Sequence, residues 1–256
     1  METYPWRLLN TGHHDGFYNM ALDEAILESV SGGQSLPTLR LYGWSPAAVS
    51  VGYFQGLREE VDPEACKRHG VDVVRRISGG GAVFHQAELT YSIFIPMGHP
   101  LGDVDIGESY TRLCGGIIRG LEILGISARF VPINDIIAGD RKVSGNAQTR
   151  RQGCILQHGT VLLENNVDLM FELLKVPREK LRGKLIDDVK KRVTSLRTLL
   201  GRAIPFDQAA EALAEGFRRA LGLRFSAPSS PEPGEEERAR KLAADKFASP
   251  QWLYKR

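Results

Sequence analysis

The residues best suited to chemistry lie in one run, Arg75-Arg76-Ile77-Ser78-Gly79-Gly80-Gly81-Ala82-Val83-Phe84-His85. Three consecutive glycines lack side chains and can take positive φ. A ligand can therefore lie against the backbone, with N–H groups converging on an anion. Arg75 and Arg76 add planar forks that match phosphate or carboxylate, and Ser78 adds a hydroxyl. No Gly-Lys-Ser/Thr follows, which excludes a Walker loop, and the contiguous glycines do not fit the Rossmann spacing. The competing reading is a surface loop with a solvated arginine pair. The apolar stretches on both sides argue against a merely flexible linker.

A second run is Asn134-Asp135-Ile136-Ile137-Ala138-Gly139-Asp140-Arg141-Lys142-Val143-Ser144-Gly145-Asn146-Ala147-Gln148. Gly139-Asp140 is a two-residue hairpin signal. It places Lys142 near the start of a return strand, with Lys142 and Ser144 on one face and Arg141 and Val143 on the other. A lysine on an inward, partly dry face would approach an anion; an exposed strand lysine is the commoner case. Asn134-Asp135 could equally be a turn cap. A third run, Cys154 to Leu162, is apolar except for Gln157 and His158, and alternation puts His158 with Cys154, Leu156 and Thr160. His158 is either a site residue or a packed histidine. Four strand rises, roughly 13 Å, separate it from Cys154, too far for a direct thiolate–imidazolium pair. Cys154 then reads as a small core residue, as do Cys66 and Cys114.

The elements that must position these runs are legible as patterns. Residues 19–29 carry apolar positions at helical spacing with acids between, an amphipathic helix. Residues 38–42 and 47–53 read as strands broken at Ser45-Pro46. Residues 62–69 open with Asp-Pro and close at Gly70, a short capped helix. Strands follow at 71–76, 82–85 and 89–95, and a long helix at 106–124 ends at Gly125. Two hairpins turn at Gly139-Asp140 and Gln152-Gly153, pairing 135–138 with 142–144 and 147–151 with 154–163. Helices are expected at 169–175, 189–200, 207–221 and 235–247. The fold class is α+β: a mixed, largely antiparallel sheet flanked by helices, with a helical C-terminal part. The expected division is a catalytic domain over 1–225, a Pro/Ser linker over 226–234 and a short helical tail over 235–256.

Bulk composition narrows the function. The 256 residues are 42% hydrophobic and 25% charged, with 33 basic and 31 acidic side chains and a net charge of +2. A nucleic-acid binder would show a larger basic excess. No apolar run reaches 18 residues, so no membrane span is expected. The start, Met1-Glu2-Thr3-Tyr4-Pro5-Trp6-Arg7, is not a signal peptide. Three widely spaced cysteines without a C-x-x-C pair indicate a reducing cytosol rather than disulfides or a cysteine zinc site; a metal remains unassigned.

Taken in order, these segments resemble the biotin/lipoate protein ligase family, in its lipoate–protein ligase A and octanoyltransferase branch. The matching pieces are NMALDEA at 19–25, SVGYFQ at 50–55, RRISGGGAVFH at 75–85, ELTYS at 88–92, NDIIAGDRKVSGNAQ at 134–148, LQHGT at 156–160 and KFASPQWLYKR at 246–256. The resemblance implies a class II biotin/lipoate ligase-like fold, an acyl tunnel and a nucleotide-phosphate loop. It implies that Arg75, Arg76 and Gly79, Gly80 and Gly81 line the acyl and phosphate region, and that Asn134 and Asp135 face the nucleotide. Lys142 would contact the carbonyl and phosphate oxygens of the acyl-adenylate, or the acyl thioester in transferases. The matching segments add Ser78, Val83, Phe84, His85, Gly145, Ala147, His158, Gly159 and Thr160 to the candidate lining. The implied acceptor is a lysine ε-amine on a lipoyl domain or the glycine-cleavage H protein.

The family resemblance forks. Ligases use lipoate and Mg-ATP and pass through lipoyl-AMP; octanoyltransferases take octanoyl from acyl carrier protein through a cysteine thioester. In one similar transferase branch that cysteine lies in an insert just before the segment at 134. Here Ala128-Arg129-Phe130-Val131-Pro132-Ile133 is short and has none, which favours the ligase. Single-chain ligases also carry a C-terminal accessory domain, so a ligase of this length would need a small accessory subunit. The expectation is a cytoplasmic ligase catalytic subunit acting on lipoate or octanoate. The alternatives are an octanoyltransferase, with Cys154 as candidate nucleophile, and a non-catalytic lipoyl-domain binding module. A biotin ligase lacks support because its glycine–arginine loop is absent.

Overall fold

Alternating apolar residues build a sheet with two buried faces in the computed structural model, which describes residues 5–175, 182–227 and 229–255. Residues 1–4, on which the signal-peptide reading partly rests, and linker position 228 lie outside the described residues. The chain runs β1 (Pro5–His14), α1 (Gly16–Ser31), β2 (Thr38–Trp44), β3 (Ala48–Val51), α2 (Leu57–Glu60), α3 (Pro63–Arg68), β4 (Asp72–Arg75), β5 (Val83–His85) and β6 (Glu88–Pro96). It continues with α4 (Ile106–Ile123), β7 (Arg129–Val131), β8 (Asp135–Ala138), β9 (Arg141–Arg151), β10 (Cys154–Leu162), α5 (Val167–Leu173), α6 (Arg182–Arg192) and α7 (Leu196–Leu200). Last come α8 (Phe206–Leu221), β11 (Arg224–Phe225), α9 (Pro233–Leu242), a π-helical turn over Ala243–Phe247, and α10 (Pro250–Leu253).

The large sheet has the order β11-β1-β2-β6-β10-β9-β8-β7. β1 runs parallel to β2 and β11, and the other pairs are antiparallel. A small sheet, β4-β3-β5, holds the glycine loop between β4 and β5. The fold is therefore the mixed, largely antiparallel α+β arrangement expected from the sequence. Alternation sends Leu39, Leu41, Ile93 and Ile155 to a core completed by Leu113 and Ile117 of α4 and Leu213 and Phe217 of α8. It sends Tyr42, Trp44, Phe94 and Leu156 to the opposite core, completed by Met20, Ile26 and Leu27 of α1 and Leu242. Each such side chain contributes roughly 1.5–3 kcal/mol on full burial.

Local signals end the elements as the sequence indicates. Asp15 caps α1, Asp62 caps α3 and Asp105 caps α4 through side-chain acceptance of helix N–H groups. Several elements differ from expectation. β1 is a full strand that no alternation marks, because buried Arg7 occupies a core-facing position through its pairing with Glu235. Helix 19–29 is not half-exposed: α1 is buried around most of its circumference, Asp23 and Glu24 included. The expected helix at 189–200 breaks because Thr194 N–H donates to Lys142 O (2.8 Å) and Ser195 starts α7 as its cap. Residues 142–144 and 147–151 belong to one strand, β9, paired along its length with β10. Further on, α9 begins at Pro233, two residues inside the stretch read as linker.

Candidate active site

The glycine loop is shaped from beneath by Arg76. Its guanidinium donates to Gly79 O (2.8 Å), Gly81 O (2.7 Å), Ser50 O and Ser50 Oγ (both 3.1 Å). Burial holds its pKa down to about 10. Between the two carbonyls Gly80 takes φ +97°, a conformation that side chains rarely adopt. Arg75 is turned elsewhere. All its hydrogen bonds go to backbone carbonyls, those of Gly52, Tyr53, Gln55, Trp252 and Leu253. Neither arginine offers a free fork to a phosphate or carboxylate, which corrects the sequence expectation. A guanidinium in a buried turn is satisfied by the nearest orphan carbonyls.

Lys142 stands at the base of β9, where a bulge in the β8–β9 pairing sets Ile137 opposite it. It shares a face with Ser144, while Val143 enters the core, as strand alternation requires. Its ammonium lies 2.6 Å from Asp135 Oδ1. The side chain folds across Gly145: a Cβ there would meet Nζ at 2.9 Å. Asn134 and Asn146 hold the hairpin shut by donating to each other's carbonyls at 2.6 and 2.9 Å, and Tyr91 OH donates to Asn146 Oδ1 at 2.8 Å.

His158 sits opposite Ser92 and Ala147 in the sheet. Its Nε2 is 2.5 Å from Ser78 Oγ and its Nδ1 is 3.5 Å from Asp23 Oδ2. Asp23 is held by Arg40 (2.6 Å), Ser92 (2.7 Å) and Tyr42 (3.2 Å). Burial pushes the Asp23 carboxyl up, but Arg40, His158 and Ser92 outweigh it and leave the pKa lowered. For His158 burial is the larger effect and lowers the pKa despite Asp23, which keeps the ring neutral. The three residues share the order of a hydrolytic triad, yet Ser78 is 0% exposed. No substrate reaches Ser78; the series ties the glycine loop to β10 and α1. A second imidazole, His85, is held by Glu88 (2.7 Å) and Ser50 (2.8 Å) and stacks on Trp44.

These segments enclose a cavity of ≈ 360 Å³, within the range of small-molecule sites. Arg76, Gly80, Gly81, Val83, Phe84 and His85 line one side; Asn134, Lys142, Gly145, Ala147, His158, Gly159 and Thr160 line the other. Arg75, Ser78, Gly79, Asp135 and Cys154 are not on its wall. Sequence reasoning missed much of the apolar lining, which comes from Met20 of α1, Tyr42 and Trp44 of β2, Leu162, Met170, Val189 and Val193. The NMALDEA run held the signal for Met20. Asp23, which anchors His158, lies in the same run.

The cysteines do not belong to this site. Cys66, Cys114 and Cys154 are all buried, and burial pushes their thiols up to about 11, 12 and 12. Cys154 packs with Leu156 against α1, as a small apolar residue does, so it is not a nucleophile facing the cavity. Among the described residues no group of three or more His, Cys, Asp or Glu could hold a metal ion. No described helix is long and apolar enough to cross a membrane.

Comparisons with known proteins agree with this geometry. The family model described as the lipoyl protein ligase A/B catalytic domain matches residues 15–218. Octanoyltransferase LipM of Geobacillus kaustophilus is 36% identical over 274 aligned positions, covering 98% of each chain. Among solved structures, a bi-partite lipoate protein ligase from Thermoplasma acidophilum superposes with a TM-score of 0.88 at 31% identity, covering 98% of this chain and 96% of that one. A lipoate-protein ligase A bound with ATP superposes with a TM-score of 0.82 at 30% identity, covering 98% of both. The chain is thus an octanoyl- or lipoyl-transferring enzyme and belongs to the lipoyl protein ligase A/B catalytic-domain family.

Proposed function

We propose that this chain transfers an octanoyl or lipoyl group to the ε-amine of a lysine on a lipoyl domain or glycine-cleavage H protein, directly from the activated donor. The observation that carries the reading is Lys142, folded over Gly145 at the wall of a largely apolar cavity that the glycine loop also lines. The apolar lining takes the acyl chain. Each buried methylene contributes about 0.8 kcal/mol, so an eight-carbon chain binds through its length. The carbonyl then lies between Lys142 and the loop amides. When the amine attacks, the nitrogen–carbon bond forms, the bond to the leaving group breaks with its electron pair staying on the departing thiolate or phosphate, and the amine's proton passes to that leaving group or to solvent. Charge develops on the carbonyl oxygen and on the leaving group, and an ammonium with fixed N–H groups stabilises both. Asp135, 2.6 Å away, holds the Lys142 ammonium in place until the anion arrives.

The donor has two readings. The name octanoyltransferase, borne by the curated relatives, favours an octanoyl thioester, the second of the two enzyme readings drawn from the sequence. ATP-dependent activation of lipoate is favoured by the thiols: none lines the cavity, so no cysteine is placed to take the acyl group. The alignments also run to 274–279 positions against 256 residues here, so the relatives carry segments that this chain lacks. In the ATP-dependent reading ATP with Mg²⁺ is a substrate, lipoyl-AMP the intermediate, and a small accessory subunit the partner. The backbone amides of Gly80 and Gly81 and the Lys142 ammonium suit its phosphates. Mg²⁺ needs only one or two carboxylates beside phosphate oxygens, and Asp135 is adjacent. The experiment supplies purified protein with an apo lipoyl domain and either octanoyl carrier protein or lipoate plus Mg-ATP. Acylation of the acceptor lysine by one donor assigns the reaction; no acylation by either, with and without an accessory subunit, removes the proposal.

A further inference from the structure

Residues 250–255 return to the β3–β4 end of the small sheet, next to the loop that lines the cavity. The contacts are specific. Trp252 Nε1 donates to Arg75 O (2.9 Å). In return Arg75 Nε donates to Trp252 O and Leu253 O (both 3.1 Å), and Nη2 to Leu253 O (2.8 Å). The other arm, Nη1, donates to Gly52 O (2.8 Å), Tyr53 O (3.1 Å) and Gln55 O (2.7 Å). The Arg75 side chain is fully buried. That same 52–55 segment touches the glycine loop: Tyr53 N–H donates to Ser78 O (2.9 Å), and a Cβ at Gly52 would fall 2.0 Å from Gly80 O. Lys246 fixes the near end of the tail, bonding both oxygens of Glu24 (2.7 and 2.6 Å) with its ammonium 4.0 Å from the Trp252 ring centroid. Lys255 fixes the far end by donating to Tyr53 OH (2.7 Å).

We propose that Trp252 and Arg75 are positioning residues: the C-terminal tail, clamped onto Arg75, sets the 52–55 segment and through it the conformation of the glycine loop. The physical reason lies in Arg75. Its donors are shared between tail carbonyls and the 52–55 carbonyls, so losing the tail leaves buried N–H groups unpaired. The guanidinium then turns to find acceptors and releases Gly52, the residue whose backbone sits against Gly80 O. A loop that must hold converging amides loses its preorganisation without any cavity residue being changed. The division into a catalytic domain and an appended tail thus gives way to a tail that completes the site's support.

This inference rests on the proposed transfer for its kinetic consequence, but its structural test does not. Trp252→Ala removes the ring and the N–H donor; Trp252→Phe removes the donor and keeps an aromatic ring, so it guards against simple misfolding. Hydrogen exchange measured by mass spectrometry reports the amides of Gly79, Gly80, Gly81, Ala82 and Val83. Exchange there rises about tenfold in Trp252→Ala and less in Trp252→Phe, while the α4 and α8 peptides keep wild-type protection. Octanoyl or lipoyl transfer shows a lower kcat with an unchanged KM for the lipoyl domain. Wild-type exchange at 79–83 in both variants overturns the inference. Loosened amides in variants of a protein that transfers no acyl group support the tail's role and count only against the proposed function.

Discussion

At the scale of single residues the account makes Lys142 the charge at the reacting carbonyl. Lys142→Ala should lower acyl transfer by at least about 10²-fold, the usual loss for one preorganised donor. Lys142→Arg should not restore it, because a planar fork does not replace a point charge resting on Gly145. Steady-state transfer to a lipoyl domain checks both, and wild-type turnover in Lys142→Ala contradicts the assignment. Cys154→Ser should keep most activity, since its thiol is buried with a pKa pushed up to about 12. His158 gives a pH signature. Its folded pKa is lowered below 6.5, so as pH falls through 6.5 the unfolded chain binds a proton before the folded one does. Its contribution is complete above that pH and declines towards acid. The acid slope of stability should flatten in His158→Gln, measured by urea unfolding between about pH 4 and 8. An unchanged slope would mean that the ring titrates normally.

At the scale of elements, the sequence was most legible where the site is local. The glycine loop lies in one run, and the Lys142 hairpin is announced by Gly139-Asp140, with Gly139 at φ +59°. Strand alternation gave the faces of Lys142, Ser144 and His158 correctly. Much of the apolar lining was not legible, because Tyr42 and Trp44 reach the cavity only through the β2–β6 pairing and Met20 through α1 packing on the sheet. The arginines misled for a related reason. Charge next to glycines reads as anion binding, whereas tertiary contacts give both guanidiniums to carbonyls. Two substitutions test the elements. A side chain in Gly145→Val occupies the place of Lys142 Nζ, so activity should fall towards that of Lys142→Ala, with about 1–3 kcal/mol of strain. Asp23→Ala should destabilise by about 3–5 kcal/mol in denaturant titrations, since it leaves Arg40 buried and uncompensated. A loss under about 1 kcal/mol would show that Arg40 is satisfied without Asp23.

At the scale of the whole molecule, the ordered motifs, the mixed sheet and the comparisons all point to one family, and the resemblance read from the sequence extends across the fold. The burial of Cys154 agrees with its sequence reading as a small core residue; the choice of donor was less legible, because the motifs of the resemblance are shared by ligase and octanoyltransferase. Cys154 lies in a motif-bearing strand, yet it faces α1 beneath the sheet. Tail and linker were also compressed by sequence reading into an appendage, because Arg7–Glu235 and Arg75–Trp252 join residues more than 170 positions apart. The central claim is direct acyl transfer at Lys142 with no acyl-cysteine. Intact mass spectrometry of enzyme and apo lipoyl domain together, sampled during turnover with each donor, tests it most directly. The account predicts one acyl group gained on a single acceptor lysine while the enzyme stays at its unmodified mass. An octanoyl or lipoyl adduct on Cys66, Cys114 or Cys154 that forms and decays at the rate of transfer would contradict it.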